Sequence, residues 1–152
     1  MKKVLFILLL GLFVAGAGVM IYLKSNPPLE IKGYTSFDDN ENVRLIEIEN
    51  KGLRELQLQN IIVNDGQPEK AELIVSRAEQ LESGVANDPN ITSHGIKQVK
   101  LFPSKYIDRK AIGKQPQHYG LKVEAADIQT ITIYYEYLKM SYILTAELKT
   151  DK

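Results

Sequence analysis

The stretch "DDNENVRLIEIE" places Asp38, Asn40, Asn42 and Glu49 at positions one, three, five and twelve of a calcium-binding loop. Carboxylate and amide oxygens at that spacing can wrap a hard cation. Position six, which needs glycine for the sharp turn, is Val43. Val43 to Glu49 also alternates as a strand does, and an extended backbone holds Glu49 away from Asp38. The stretch therefore reads as an acidic turn entering a strand, and these four residues are carried forward only as metal candidates.

Other chemistries find less to work with. His94 and His118 are the two histidines, 24 residues apart, with no carboxylate or second histidine at helical ligand spacing. The sequence has no Gly-x-Ser-x-Gly elbow and no Ser-x-x-Lys pair, and Ser93 beside His94 is a sequence neighbour rather than a catalytic pairing. Cysteine is absent, so thiol catalysis and a lipid-modified cysteine anchor are both excluded. The ten glycines are dispersed and form no phosphate-binding loop. No catalytic residue is assigned and no cofactor is expected.

The elements that would carry any site begin with an apolar run. Val4 to Leu23 is 20 residues without a charge, flanked by Lys2 and Lys3 before it and Lys24 after it. As a helix it spans about 30 Å, the thickness of a hydrocarbon core. "AGA" at 15–17 is the kind of site at which a signal peptide is cut. However, the run continues through "GVMIYL", and Tyr22 and Lys24 stand where interfacial anchors belong. An uncleaved transmembrane anchor over residues 1–24 is the expectation, with a secreted protein as the alternative if the run is cut. The short basic tail favours a cytoplasmic N-terminus. Gly11, Ala15 and Gly18 share one helix face, a small-residue stripe of the kind that lets membrane helices approach closely.

Pro27 and Pro28 in a short linker, 25–28, end that helix, and residues 29–150 are long enough for one domain with its own core. The chain has 19 basic and 19 acidic residues, so the part after Lys2 and Lys3 is close to neutral, too balanced for a nucleic-acid binder. Period-two alternation predicts strands in "LEIKGYTSF", "NVRLIEIEN", "LQLQNIIVN", "AELIVSR", "KQVKLF", "YGLKVEA", "TITIYYEY" and "SYILTAEL". Turn residues in "NKG" (50–52) and "NDG" (64–66) predict hairpins between neighbours. At Asn60 the apolar phase shifts from Leu56 and Leu58 to Ile61 and Val63, the mark of a bulge. "RAEQLESGVANDPNITSHG" reads as an exposed loop with a helical turn in "RAEQLE". Short strands without βαβ alternation predict a mainly β fold, an antiparallel immunoglobulin-like β-sandwich preceded by a single N-terminal transmembrane helix.

With "NPPLEIKGY", "IEIENKGLRELQLQNIIVND" and "ITIYYEYL" following a basic-tailed helix, the chain resembles a group of uncharacterised small membrane-anchored proteins of Gram-positive bacteria. The resemblance covers most of the chain. It implies fold and location, an extracytoplasmic domain on one membrane helix, and carries no active-site residues.

Two local features point to contact surfaces. Lys97, Lys100, Lys105, Arg109, Lys110 and Lys114 face a single acidic residue, Asp108, over residues 97–114, with Phe102 and Tyr106 interleaved. Such a run suits lipid headgroups, anionic wall polymer or an acidic partner, and equally a solvated loop. Tyr135 and Tyr137 share the face of Ile131 and Ile133 and read as core, whereas Tyr134 shares the opposite face with Thr132 and Glu136 and is a candidate contact. The expected protein is a non-enzymatic binding or accessory module of the cell envelope. Its expected partners are the cell membrane and another membrane or envelope protein, with no nucleic acid. An envelope enzyme without a recognisable motif and a structural subunit of a membrane complex are the alternatives.

Overall fold

The computed structural model describes residues 2–37, 40–81 and 88–148. Its N-terminal helix α1 (Lys2–Ser25) is about 36 Å long. Asn26 closes the helix by giving both its backbone N–H (3.1 Å) and its side-chain amide (2.9 Å) to the Tyr22 carbonyl. The two prolines then rule out another turn. Phe6–Ser25 is long and apolar enough to span a membrane, and apart from the partly buried Leu23 its residues are exposed.

Among the described residues eight strands follow: β1 (Leu29–Phe37), β2 (Asn40–Asn50), β3 (Leu56–Val63), β4 (Lys70–Ser76), β5 (Ile91–Gly95), β6 (His118–Glu124), β7 (Thr130–Tyr137) and β8 (Met140–Glu147). They form two antiparallel sheets, one ordered β1-β2-β6-β4-β5 and the other β3-β7-β8. The alternation explains how they pack. Ile46 and Ile48 are buried while Glu47 and Glu49 are partly exposed between them, and Ile46, Leu121 and Leu73 align across three neighbouring strands. These residues join Leu58, Ile61, Ile131, Ile133 and Tyr135 of the second sheet in a single hydrophobic cluster. One core thus holds both layers together, the arrangement expected when each sheet has one apolar face to bury.

The phase shift in β3 is a bulge. Leu58 pairs with Tyr135 and Asn60 with Tyr134, so Gln59 is the extra residue, and Ile61 and Val63 return to the buried face.

Several expectations need correction. "KQVKLF" is not a strand: residues 96–99 make a turn and bend, and only Leu101 pairs, in an isolated bridge with Leu56. The segment expected to be an exposed loop contains β5, whose Ile91–Gly95 pairs with β4. Its "RAEQLE" portion is bent rather than helical through residue 81, and residues 82–87 lie outside the described residues. The turns at "NKG" and "NDG" do not close hairpins, because β3 lies in a different sheet from both β2 and β4. Asn64 and Asp65 do take positive φ (47° and 63°), but the tight turn they make sends the chain across to the other layer.

Candidate functional site

Two concave regions lie near the end of the domain where α1 arrives. The first is a cleft of about 300 Å³ lined by Lys32, Glu47, Glu49, Arg109, Gln117 and His118. It forms because β1, β2 and β6 present their polar side chains beside the connection from β5 to β6. His118 Nδ1 lies 2.9 Å from Glu47 Oε1 and Nε2 lies 2.8 Å from the Glu79 carbonyl. Each ring nitrogen thus lies within hydrogen-bond distance of a protein oxygen, and the imidazole ties β6 to β2 and to the segment after β4. Burial pushes the Glu49 carboxyl up. A hydrogen bond with Ser104 and the Lys32 ammonium 3.4 Å away outweigh that effect, with Lys51 adding to them, so the group stays below its ordinary value. Arg109 Nη1 donates to the Gln117 carbonyl at 3.0 Å. The polar groups of the cleft are engaged chiefly with one another, tying strands to the connection over them.

The second region is a depression of about 480 Å³ at the helix-proximal end, lined by apolar side chains together with Arg54, Lys100 and the Glu55 carboxylate that pairs with Lys100. Leu53, Phe102, Tyr106 and Leu138 meet around it, with Arg54 and Lys100 between them. All four apolar side chains are exposed, Leu53 by 61% and Tyr106 by 66%. Three separate stretches build it: the β2–β3 connection, the 3-10 turn Ser104–Tyr106 with the residues before it, and the β7–β8 turn.

Asn50, itself 1% exposed, joins the first two. Its Nδ2 donates to the carbonyls of Arg54 (2.9 Å) and Leu101 (2.8 Å), and its Oδ1 accepts from the Gly52 N–H (2.9 Å). Gly52 must be glycine here, since a Cβ would stand 2.9 Å from both Asn50 Oδ1 and the Tyr137 ring. The Tyr137 hydroxyl accepts the Leu53 N–H at 2.9 Å, binding the same connection to β7. The third stretch carries backbone strain: Leu138 (φ 52°) and Lys139 (φ 62°) occupy both central positions of a two-residue turn, where Asn-Gly fits without cost.

The same end receives the helix. The Lys51 N–H donates to the Pro28 carbonyl at 2.8 Å, the Tyr142 hydroxyl reaches the Leu23 carbonyl at 3.4 Å, and Leu23 packs against the core.

The residues singled out in the sequence are dispersed by the fold. Asp38 lies outside the described residues. Asn40 and Asn42 share a local hydrogen bond, Asn40 Oδ1 accepting from the Asn42 N–H at 3.0 Å, at one end of β2. Glu49 is at the other end, about 30 Å along the strand. No group of three or more His, Cys, Asp or Glu suited to a metal occurs among the described residues.

The basic run occupies at least three places. Lys97 is in the turn after β5, and Arg109 is beside the charged cleft, with Lys110 and Lys114 on the exposed turns that follow it. Lys100 and Lys105 flank the depression, Lys100 pairing with Glu55 at 3.4 Å and the Lys105 ammonium lying 4.9 Å from the Tyr106 ring centre. Tyr134 is half-buried on the outer face of the second sheet, opposite Ile143 in β8 and away from these lysines. Gly11, Ala15 and Gly18 are exposed along α1, and a Cβ at Gly11 or Gly18 would meet nothing within 4 Å. Leu53, Arg54 and Leu138 were not foreseen as site residues. Their one sequence signal is an apolar residue next to a turn glycine or a strand end.

No protein-family model, curated protein or solved structure matches this chain.

Proposed function

We propose that this chain is a single-pass membrane protein, N-terminus cytoplasmic, that presents one immunoglobulin-like domain outside the membrane as a binding or accessory module of a Gram-positive cell envelope. The observation that carries the reading is a helix whose apolar side chains are exposed on every side. Twelve large apolar residues between Phe6 and Tyr22 are more than half exposed or close to it. Leaving them in water forgoes about 20–35 kcal/mol of burial, more than the net stability of a typical domain. A bilayer supplies that burial. The immunoglobulin-like reading rests on strand order: β1-β2-β6-β4 in one layer and β3-β7-β8 in the other follow the A-B-E-D and C-F-G order of a constant-type domain, with β5 added at an edge. The module reading is supported by a charged cleft whose polar groups bond chiefly to one another.

Because the chain has no cysteine, single cysteines report sidedness against a clean background. Ala126→Cys, on an exposed connection at the end of the domain away from the helix, is expected to react with a membrane-impermeant maleimide in intact cells. Lys3→Cys is expected to react only after permeabilisation. Labelling of Ala126→Cys that requires lysis contradicts the reading. In-cell crosslinking through the domain should then capture an envelope protein, whereas a hydrolytic activity of the purified chain would replace the module reading with an enzymatic one.

A further inference from the structure

We infer that the helix-proximal depression is a lipid-contact surface, which seats the domain on the bilayer and binds anionic phospholipid headgroups there. The inference rests on the membrane-anchor reading of α1, and its geometry goes beyond that reading.

The depression cannot lie far from the bilayer that holds the helix. Three residues separate Ser25 from Leu29, the first residue of β1. Leu53 is two residues from Lys51, which bonds to the Pro28 backbone, and Leu138 is four residues from Tyr142, which bonds to Leu23. Both rim loops are therefore tethered to the chain as it leaves the helix.

The chemistry of the rim matches the interfacial layer. Leucine, phenylalanine and tyrosine side chains partition between hydrocarbon and headgroups, with tyrosine favoured at that boundary. Glu55 offsets Lys100, but Arg54 of the rim, with Lys105 and Lys139 next in sequence to its Tyr106 and Leu138, forms no ion pair among the described residues, nor do those two lysines, and Lys24 at the helix end adds a fourth cation. Each such cation near an anionic surface strengthens association by about fivefold.

Leu138 supplies an independent reason. A leucine in left-handed conformation at an exposed turn tip carries backbone strain and gains nothing in water. Inserted among headgroups, it recovers its transfer free energy.

The chain contains no tryptophan, so one introduced indole reports depth without interference. The full chain, carrying Leu53→Trp, Leu138→Trp, Tyr22→Trp or Ala126→Trp one at a time, is reconstituted in vesicles of phosphatidylcholine with or without phosphatidylglycerol, and quenching by brominated lipid is read. The surface predicts blue-shifted emission and quenching at positions 53 and 138 in anionic vesicles and none at 126. Replacing Arg54, Lys105 and Lys139 together with glutamine should lower the quenching at Leu138→Trp to its level in neutral vesicles. Emission at both 53 and 138 that matches Ala126→Trp overturns the inference. Tyr22→Trp judges the anchor separately: quenching there without quenching at 53 and 138 leaves the helix inserted and removes the lipid-contact surface. Quenching at 53 and 138 with Tyr22→Trp unquenched supports the surface and rejects the anchor.

Discussion

Asn50→Leu is expected to lose about 3 kcal/mol of folding stability, measured by urea unfolding of the full chain in nonionic detergent. The side chain is nearly isosteric, so the loss comes from polar groups left without partners. The Leu101 carbonyl still accepts the Leu56 N–H at 3.1 Å, and the Arg54 carbonyl lies close to solvent. The Gly52 N–H is buried and has only Asn50 Oδ1 to bond. The same substitution separates the β2–β3 connection from residues 101–103, so amide exchange at Gly52 and Leu53 should quicken beyond the global effect. A change below about 0.5 kcal/mol would mean that the rim of the depression is not held as described.

The second large effect is alkaline. Burial pushes the Tyr135 phenol up to about 12, with the Leu29 backbone nearby but no hydrogen bond of ordinary geometry to its hydroxyl. Burial also raises Tyr119, a rise its hydrogen bond from the Phe102 amide opposes, and Tyr142 is raised by burial and by Tyr137. For a phenol the sign is set by its neutral form. The folded state holds the proton more tightly than the unfolded chain, so the contribution is complete below pH 10 and is lost as pH climbs toward the folded value. Tyr135 alone should remove about 2 kcal/mol between pH 10 and 12, with a slope that approaches but stays below about 1.4 kcal/mol per pH unit. Tyr135→Phe deletes a buried hydroxyl that has no partner, so its stability at neutral pH should be equal or higher and its alkaline slope shallower. An unchanged slope in that variant would place the titration elsewhere.

Much of the architecture was legible because half-buried strands must alternate. Ile46/Ile48 against Glu47/Glu49 and Leu56/Leu58 against Gln57/Gln59 showed their faces directly, and the phase change at Asn60 showed the bulge. β5 was not legible, since "ITSHG" has no apolar period and is held by backbone pairing to β4. Val99 and Leu101 alternate, yet the turn closed by the Gly95 carbonyl and the Gln98 N–H diverts the chain before a strand forms. Turn chemistry at Asn64-Asp65 identified the bend correctly and the partner incorrectly, because a tight turn specifies local φ and says nothing about which layer the next strand enters. The opposite failure occurs at Leu138-Lys139, a true hairpin turn with no residue that favours it.

The candidate site was the least legible part. Lys97 to Lys114 reads as one basic surface along the chain, but the fold distributes it and draws Lys100 and Lys105 alone toward Arg54 and Leu138. Residues 53, 102 and 138 meet only because β2 and β7 end, and β3 begins, on the same side, where Leu101 bridges to Leu56. That juxtaposition belongs to topology, which local pattern does not encode.

The proposed anchor requires α1 to stay attached and to hold this end of the domain at a membrane. The most direct measurement is the intact mass, with N-terminal sequence, of the mature protein recovered from membrane and soluble fractions of cells. An anchored chain gives a membrane-fraction species that retains residues 4 to 23. A soluble mature form beginning at or near Gly18 would contradict it.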